Sequence, residues 1–246
     1  MNAQRKRMPQ ASVAAENGRL YTGVWQRRVP APHALPSVDL TVGYRRDIGS
    51  DAINMLPMTA YEGSVYVVRT EEELEEAMIS LRRESILGFD TETRPLFRKG
   101  ASNQVALLQL AGARAVWIIQ LVHVRFGPVL AELLSDPRCI KAGVAICDDM
   151  RGLARMHPFT PAGVADLGLM ARRLGLVTVG LRSLSANLLG FRISKSVQCS
   201  NWERDVLEPR QVRYAATDAW LGRELYLRLL GLGGLPPVPF TYRKPL

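Results

Sequence analysis

Apolar residues are scattered over the first part of the chain and fall into regular patterns only from about Tyr61 onward. Before that point, prolines at positions 9, 30, 32 and 36 interrupt isolated apolar residues, which predicts a loosely structured, extended arm over residues 1–60. Val65-Tyr66-Val67-Val68 then reads as a strand, and Thr70 as the N-cap of a helix over about 71–83 with Glu in its first turn. Ile86 to Glu92 begins with an unbroken apolar run and predicts a central strand. Two further apolar runs, Val105 to Leu110 and Ala115 to Ile119, flank Ala111-Gly112-Ala113-Arg114 and predict a hairpin. A helix over about 127–135 leads into a buried strand at Ile140 to Val144, after which Asp149 to Met156 reads as helical. Pro161 to Ala165 predicts a short strand, and helices follow at about 166–174 and 181–189. The last helix runs from Pro209, suited to a first turn, to about Leu230, where Gly231, Gly233 and Gly234 end it.

An early hairpin followed by strands alternating with helices predicts an α/β domain on a mixed sheet flanked by helices. The domain is expected over residues 61–232, with a Pro-rich tail at 233–246. The apolar fraction of 47% supports a sizeable core, and the net charge of +9 points to an anionic partner such as nucleic acid. Cys139, Cys147 and Cys199 are odd in number and widely spaced, which excludes a disulfide framework and a zinc pattern and fits a reducing, cytoplasmic compartment. Arg5-Lys6-Arg7 has no apolar run behind it, so no signal peptide is expected, and no segment has the length of a membrane span.

Candidate chemistry rests on acidic residues at the ends of these elements. Asp90 and Glu92 are two apart on a strand and project to the same face. Asp149 follows the strand at Ile140 to Val144, with its neighbour Asp148 expected to cap the helix or face solvent. Tyr214 and Asp218 are four apart on the last helix and share a face, while Ala215, Ala216 and Ala219 let that helix approach a neighbour closely. Several carboxylates gathered in one pocket repel each other unless divalent cations neutralise them, and hard oxygen donors favour Mg²⁺ or Mn²⁺. Asp166 is expected as an N-cap, and Trp117, Trp202 and Trp220 as core.

Five segments together resemble a known family. Gly88-Phe89-Asp90-Thr91-Glu92-Thr93-Arg94-Pro95, Gly143 to Asp149, and Tyr214-Ala215-Ala216-Thr217-Asp218-Ala219 are similar to the three motifs of the DEDD superfamily of 3′-5′ exonucleases. Val105 to Leu110 and Cys199-Ser200-Asn201-Trp202 resemble further segments of its Werner-type and ribonuclease D branch. One large branch of the superfamily has a histidine five residues before its last Asp; Arg213 stands there, and Tyr214 matches the tyrosine branch instead.

The resemblance implies a ribonuclease H-like fold and a two-metal 3′-5′ exonuclease with no organic cofactor. On this basis Asp90 is expected to bridge two Mg²⁺ or Mn²⁺ ions, with Glu92 and Asp218 completing one site and Asp149 the other, while Tyr214 orients the attacking water. Thr91 is expected to touch the terminal nucleotide through its backbone, and Arg94, Arg151, Lys195 and Arg213 are candidates for phosphate contacts. The partner expected is a single strand or 3′ overhang. DNA is favoured slightly, because the pattern ends soon after Leu230 without the helical domain of ribonuclease D. The alternatives are ribonuclease D-like RNA end processing and a non-catalytic nucleic-acid-binding protein on the same fold.

Overall fold

The computed structural model describes residues 44–93 and 104–234. Its centre is a six-stranded sheet built from β1 (Ser64–Val68), β2 (Ile86–Thr93), β3 (Val105–Ala111), β4 (Ala115–Gln120), β5 (Ile140–Gly143) and β6 (Val164–Asp166). The spatial order is β1-β4-β3-β2-β5-β6. β2, β3 and β4 form an antiparallel meander, β1 joins β4 in parallel, and β5 and β6 add in parallel beyond β2. This is the α/β mixed sheet flanked by helices that the pattern predicts, with the hairpin at the expected place.

One face of the sheet is covered by α2 (Glu71–Leu81), α3 (Pro128–Ser135) and α4 (Ile146–Met156). Leu87, Phe89, Leu108 and Leu110 of the sheet meet Leu81, Leu130, Ile146 and Met150 there. The expected capping of α2 forms in full: Thr70 Oγ1 accepts from Glu73 N at 3.2 Å, and Glu73 Oε2 accepts from Thr70 N at 3.2 Å. Lys141 of β5 is fully buried, and its ammonium donates to the carbonyls of Leu133, Asp136 and Cys139, closing the turn that follows α3.

The other face is covered by α7 (Pro209–Gly231), with α5 (Leu167–Arg173) and α6 (Leu181–Leu189) packed beside it. Asp166 caps α5 as expected, accepting from Leu169 N at 3.0 Å. Trp117 and Trp202 are buried, and Trp220 is half-buried and stacks on Phe191. No helix among the described residues is long and apolar enough to cross a membrane.

Two local expectations differ from the structure. Order begins before Tyr61: residues 44–60 carry the short helix α1 (Ser50–Met55) and dock along α6. Tyr44 donates to Leu174 O at 2.8 Å, Arg45 N donates to Asn187 at 2.9 Å, and Ile48 and Ile53 pack on Ala186. Their apolar residues are too few and too short-ranged to show a period, because they are buried by a distant element. The second difference is the start of α4. It begins at Ile146, with Ala145 at the N-cap (φ 56); Asp148 lies inside the first turn and faces solvent, the second of its two expected placements, paired with Arg151. Arg5-Lys6-Arg7, Arg94 and the Pro-rich tail lie outside the described residues.

Candidate active site

β2 runs out of the apolar core at Phe89, so its last residues carry polar groups at the edge of the buried sheet. Asp90 and Glu92 point to the face covered by α7, and Asp218 comes down from that helix. One carboxylate oxygen from each lies within 4.8 Å of the other two. This convergence requires an unusually close approach of helix to strand. A Cβ on Gly88 would sit 1.9 Å from Ala219 O, and one on Gly222 would sit 2.4 Å from Ala142 O. Ala215, Ala216 and Ala219 are fully buried along the same seam, as their small size predicts.

The fourth carboxylate arrives from the opposite face of β2. Asp149 lies in the first turn of α4 and accepts from Thr91 Oγ1 at 2.5 Å, and Thr91 alternates with Asp90 and Glu92 along the strand. Asp149 therefore stands beside the triplet and is not one of its close members. Thr91 N donates to Asp90 Oδ1 at 3.0 Å. Both polar hydrogens of Thr91 are thus used within the site.

The electrostatics are those of crowded, dehydrated carboxylates. Burial, then the charges of Asp218 and Asp149, push Asp90 well above the usual range, against which the Thr91 N–H works. Burial and the charges of Asp90, Asp218 and Asp149 push Glu92 up to about 10. Burial raises Asp218 to about 7, offset by the Tyr214 hydroxyl and the Lys195 ammonium. Burial also raises Asp149 to about 6, offset by its Thr91 hydrogen bond. Asp218 Oδ1 is buried without a hydrogen-bond partner among the described residues. An acceptor so placed, beside two more carboxylates, fits a divalent cation.

Tyr214 faces this cluster from one turn before Asp218. Burial, followed by the charges of Asp218 and Glu92, raises its phenol well above the ordinary value, so it stays protonated and acts as a donor. Its ring packs against the buried Trp202 at a centroid distance of 5.9 Å, and the Trp202 indole donates to Gln198 O at 3.2 Å. The segment between α6 and α7 thus forms one wall of the site. It is tied to α7 by Gln211, whose amide donates to Ser200 Oγ at 2.9 Å and Asn201 O at 3.0 Å.

Of the basic candidates, Lys195 on that wall acts electrostatically on Asp218. Arg151 is exposed and paired with Asp148, and Arg213 is exposed and pairs with Glu62 at 3.3 Å. Arg94 is outside the described residues. Two residues bordering the site have no role assigned from sequence. Cys199 is exposed and lies near enough to Glu92 to raise its pKa; its signal is its place at the head of the Cys199-Ser200-Asn201-Trp202 segment. Gln109 lies directly across from Asp90 on β3; its signal is a lone amide in a strand otherwise wholly apolar.

Comparison with known proteins agrees with this geometry. The profile of the 3′-5′ exonuclease family matches residues 65–232. Exonuclease 3′-5′ domain-containing protein 2 of Drosophila melanogaster is 36% identical over 165 residues, covering 65% of this chain and 28% of that protein. Ribonuclease D of Pseudomonas paraeruginosa is 30% identical over 165 residues, covering 66% of this chain and 43% of that one. Among solved structures, the Nibbler EXO domain of Aedes aegypti is similar at a TM-score of 0.64 and 26% identity, covering 72% of this chain and 92% of that one. The chain spans less than a third of the Exonuclease 3′-5′ domain-containing protein 2 relatives, 28% in fly and mouse and 31% in human.

Proposed function

Because the chain belongs to the 3′-5′ exonuclease family, we propose that it hydrolyses the terminal phosphodiester of a nucleic-acid 3′ end and releases nucleoside 5′-monophosphates one at a time. The observation that carries this reading is the meeting of Asp90, Glu92 and Asp218 within 4.8 Å, in a place where burial works against the charge of each. Two Mg²⁺ or Mn²⁺ ions, when bound, would supply the Lewis acidity that activates the attacking water and stabilises the leaving 3′ oxygen. Asp90 would be shared between them, with Glu92 and Asp218 holding one and Asp149, from the other side of β2, helping to hold the second. Tyr214 keeps its proton and orients the water by hydrogen bonding. Lys195 holds the scissile end of the strand against the carboxylates, and Arg151, Arg213 and Arg94 hold phosphates farther along it. The nuclease domain is residues 61–232, and its three free thiols fit a cytoplasmic setting.

The test is a 5′-labelled single strand and a matched 3′ overhang, each made as DNA and as RNA, incubated with Mg²⁺ or Mn²⁺ and with chelator. A ladder shortening from the 3′ end, absent with chelator, with a blocked 3′ end and in Asp90→Ala/Glu92→Ala, is the expected result. Internal cuts on the blocked strand would make it an endonuclease, and binding without cleavage would make it a scaffold. DNA is the first substrate to examine. RNA is the second reading, favoured by the similarity to ribonuclease D.

A further inference from the structure

Gln109 is fully buried in β3, and among the described residues neither its Nε2 nor its Oε1 has a hydrogen-bond partner. An amide taken out of water and bonded to nothing is costly, and such a group in a well-packed core calls for a second state in which it is used. The register identifies its use. Gln109 pairs directly with Asp90 on β2 and with Ile118 on β4, so its side chain shares the sheet face of Asp90 and Glu92 under α7. Around it that face is formed by Leu107, Ala111, Ile118 and the α7 alanines, with Gln120 farther along β4. Cross-strand partners have Cβ atoms about 4.5–5.5 Å apart, so a change of rotamer brings the Gln109 amide onto the Asp90 carboxylate.

Resting on the metal-dependent reading above, we propose that Gln109 is a positioning residue of the site, its amide donating to the Asp90 carboxylate when cations are bound. It would fix which Asp90 oxygen is turned to the cations, as outer hydrogen bonds do for ligating carboxylates.

The test compares Gln109→Met, of similar shape but without the amide, with Gln120→Met. Gln120 is also fully buried on this face, with an unpartnered Oε1, and stands across from Leu107, not Asp90. Mn²⁺ is titrated calorimetrically into each full chain, and the melting of each is followed in chelator. The expected result is that Gln109→Met binds Mn²⁺ about tenfold or more weakly while melting no lower than the parent without metal. Gln120→Met is expected to bind within about threefold of the parent. Unchanged Mn²⁺ affinity in Gln109→Met overturns the proposal and leaves the metal-dependent reading intact, as does equal weakening in both variants. A metal-free Gln109→Met chain that melts far lower or fails to fold overturns it too, making Gln109 a packing residue. A parent protein that binds no Mn²⁺ defeats both readings.

Discussion

Asp218 illustrates how single residues trade stability for chemistry in this site. Its carboxylate is buried between Asp90 and Tyr214, one oxygen has no hydrogen-bond partner among the described residues, and its pKa is raised to about 7. Asp149 is raised to about 6 and Glu92 to about 10. A carboxyl group whose folded pKa exceeds its unfolded value binds a proton in the folded state that the unfolded state releases, so stability falls as pH rises between the two values. Metal-free protein should therefore melt at progressively lower temperature from about pH 4 through pH 7, and added Mn²⁺ should flatten that slope. A melting temperature in chelator that rises from pH 5 to pH 8 would contradict the assignment. By the same logic Asp218→Asn should raise the metal-free melting temperature at pH 8 by a few degrees, roughly 1 kcal/mol or more of relieved repulsion, while abolishing cleavage. Tyr214→Phe acts differently. Under the proposed function its hydroxyl orients water and ligates no cation, so kcat should fall by about tenfold to a hundredfold with Mn²⁺ affinity nearly unchanged, which kinetics and calorimetry together would check.

At the scale of elements, the site exists because α7 lies almost on the backbone of β2. Gly88 and Gly222 permit that approach, since a Cβ at either would strike main-chain oxygen. Gly88→Ala should push α7 away from the strand, costing about 1–3 kcal/mol and drawing Asp218 away from Asp90 and Glu92. Mn²⁺ affinity should then fall more steeply than in a substitution of similar stability cost in the core on the far face, such as Leu130→Ala. Equal losses would mean that the seam serves packing alone. The seam was readable in advance from Ala215, Ala216 and Ala219, as were the strand ends that carry Asp90 and Glu92, because alternation along a strand and the four-residue spacing on a helix fix which side chains share a face. The side from which Asp149 enters was not readable. That depends on which face of the sheet α4 covers, and a helix's own apolar stripe says only that it covers one. Gln109 was hidden for a related reason: its importance lies in the pairing of β3 with β2, and register emerges only when the strands meet. The docking of residues 44–60 on α6 was hidden too, because Tyr44 and Ile48 find their partners more than a hundred residues away in sequence.

For the whole molecule, the arrangement sets an acidic pit in a chain of net charge +9. Under the proposed function the two opposed signs have separate tasks: the chain's excess of cationic residues attracts a polyanion, and the pit admits its end only when cations are present to neutralise the carboxylates. Four cationic side chains, Lys195, Arg151, Arg213 and Arg94, are proposed to meet phosphates. For a single strand, each neutralised phosphate contributes about −0.7 to the slope of log affinity against log salt, so a slope of about −3 is expected. The measurement uses a strand with an uncleavable terminal linkage, titrated at several salt concentrations in the presence of Mn²⁺. Lys195→Ala should lower the slope by about 0.7. Arg138→Ala should leave it unchanged, because Arg138 precedes β5 at the strand end aligned with Ile86, opposite the end that carries Asp90 and Glu92. The cation dependence separates this picture from simple adhesion to a basic protein. Withdrawing Mn²⁺ should weaken a strand with a free 3′ end, whose last phosphate then faces bare carboxylates, yet leave a circular strand of the same length unaffected. If both strands respond alike, the charge of the molecule attracts nucleic acid without delivering its 3′ end to Asp90.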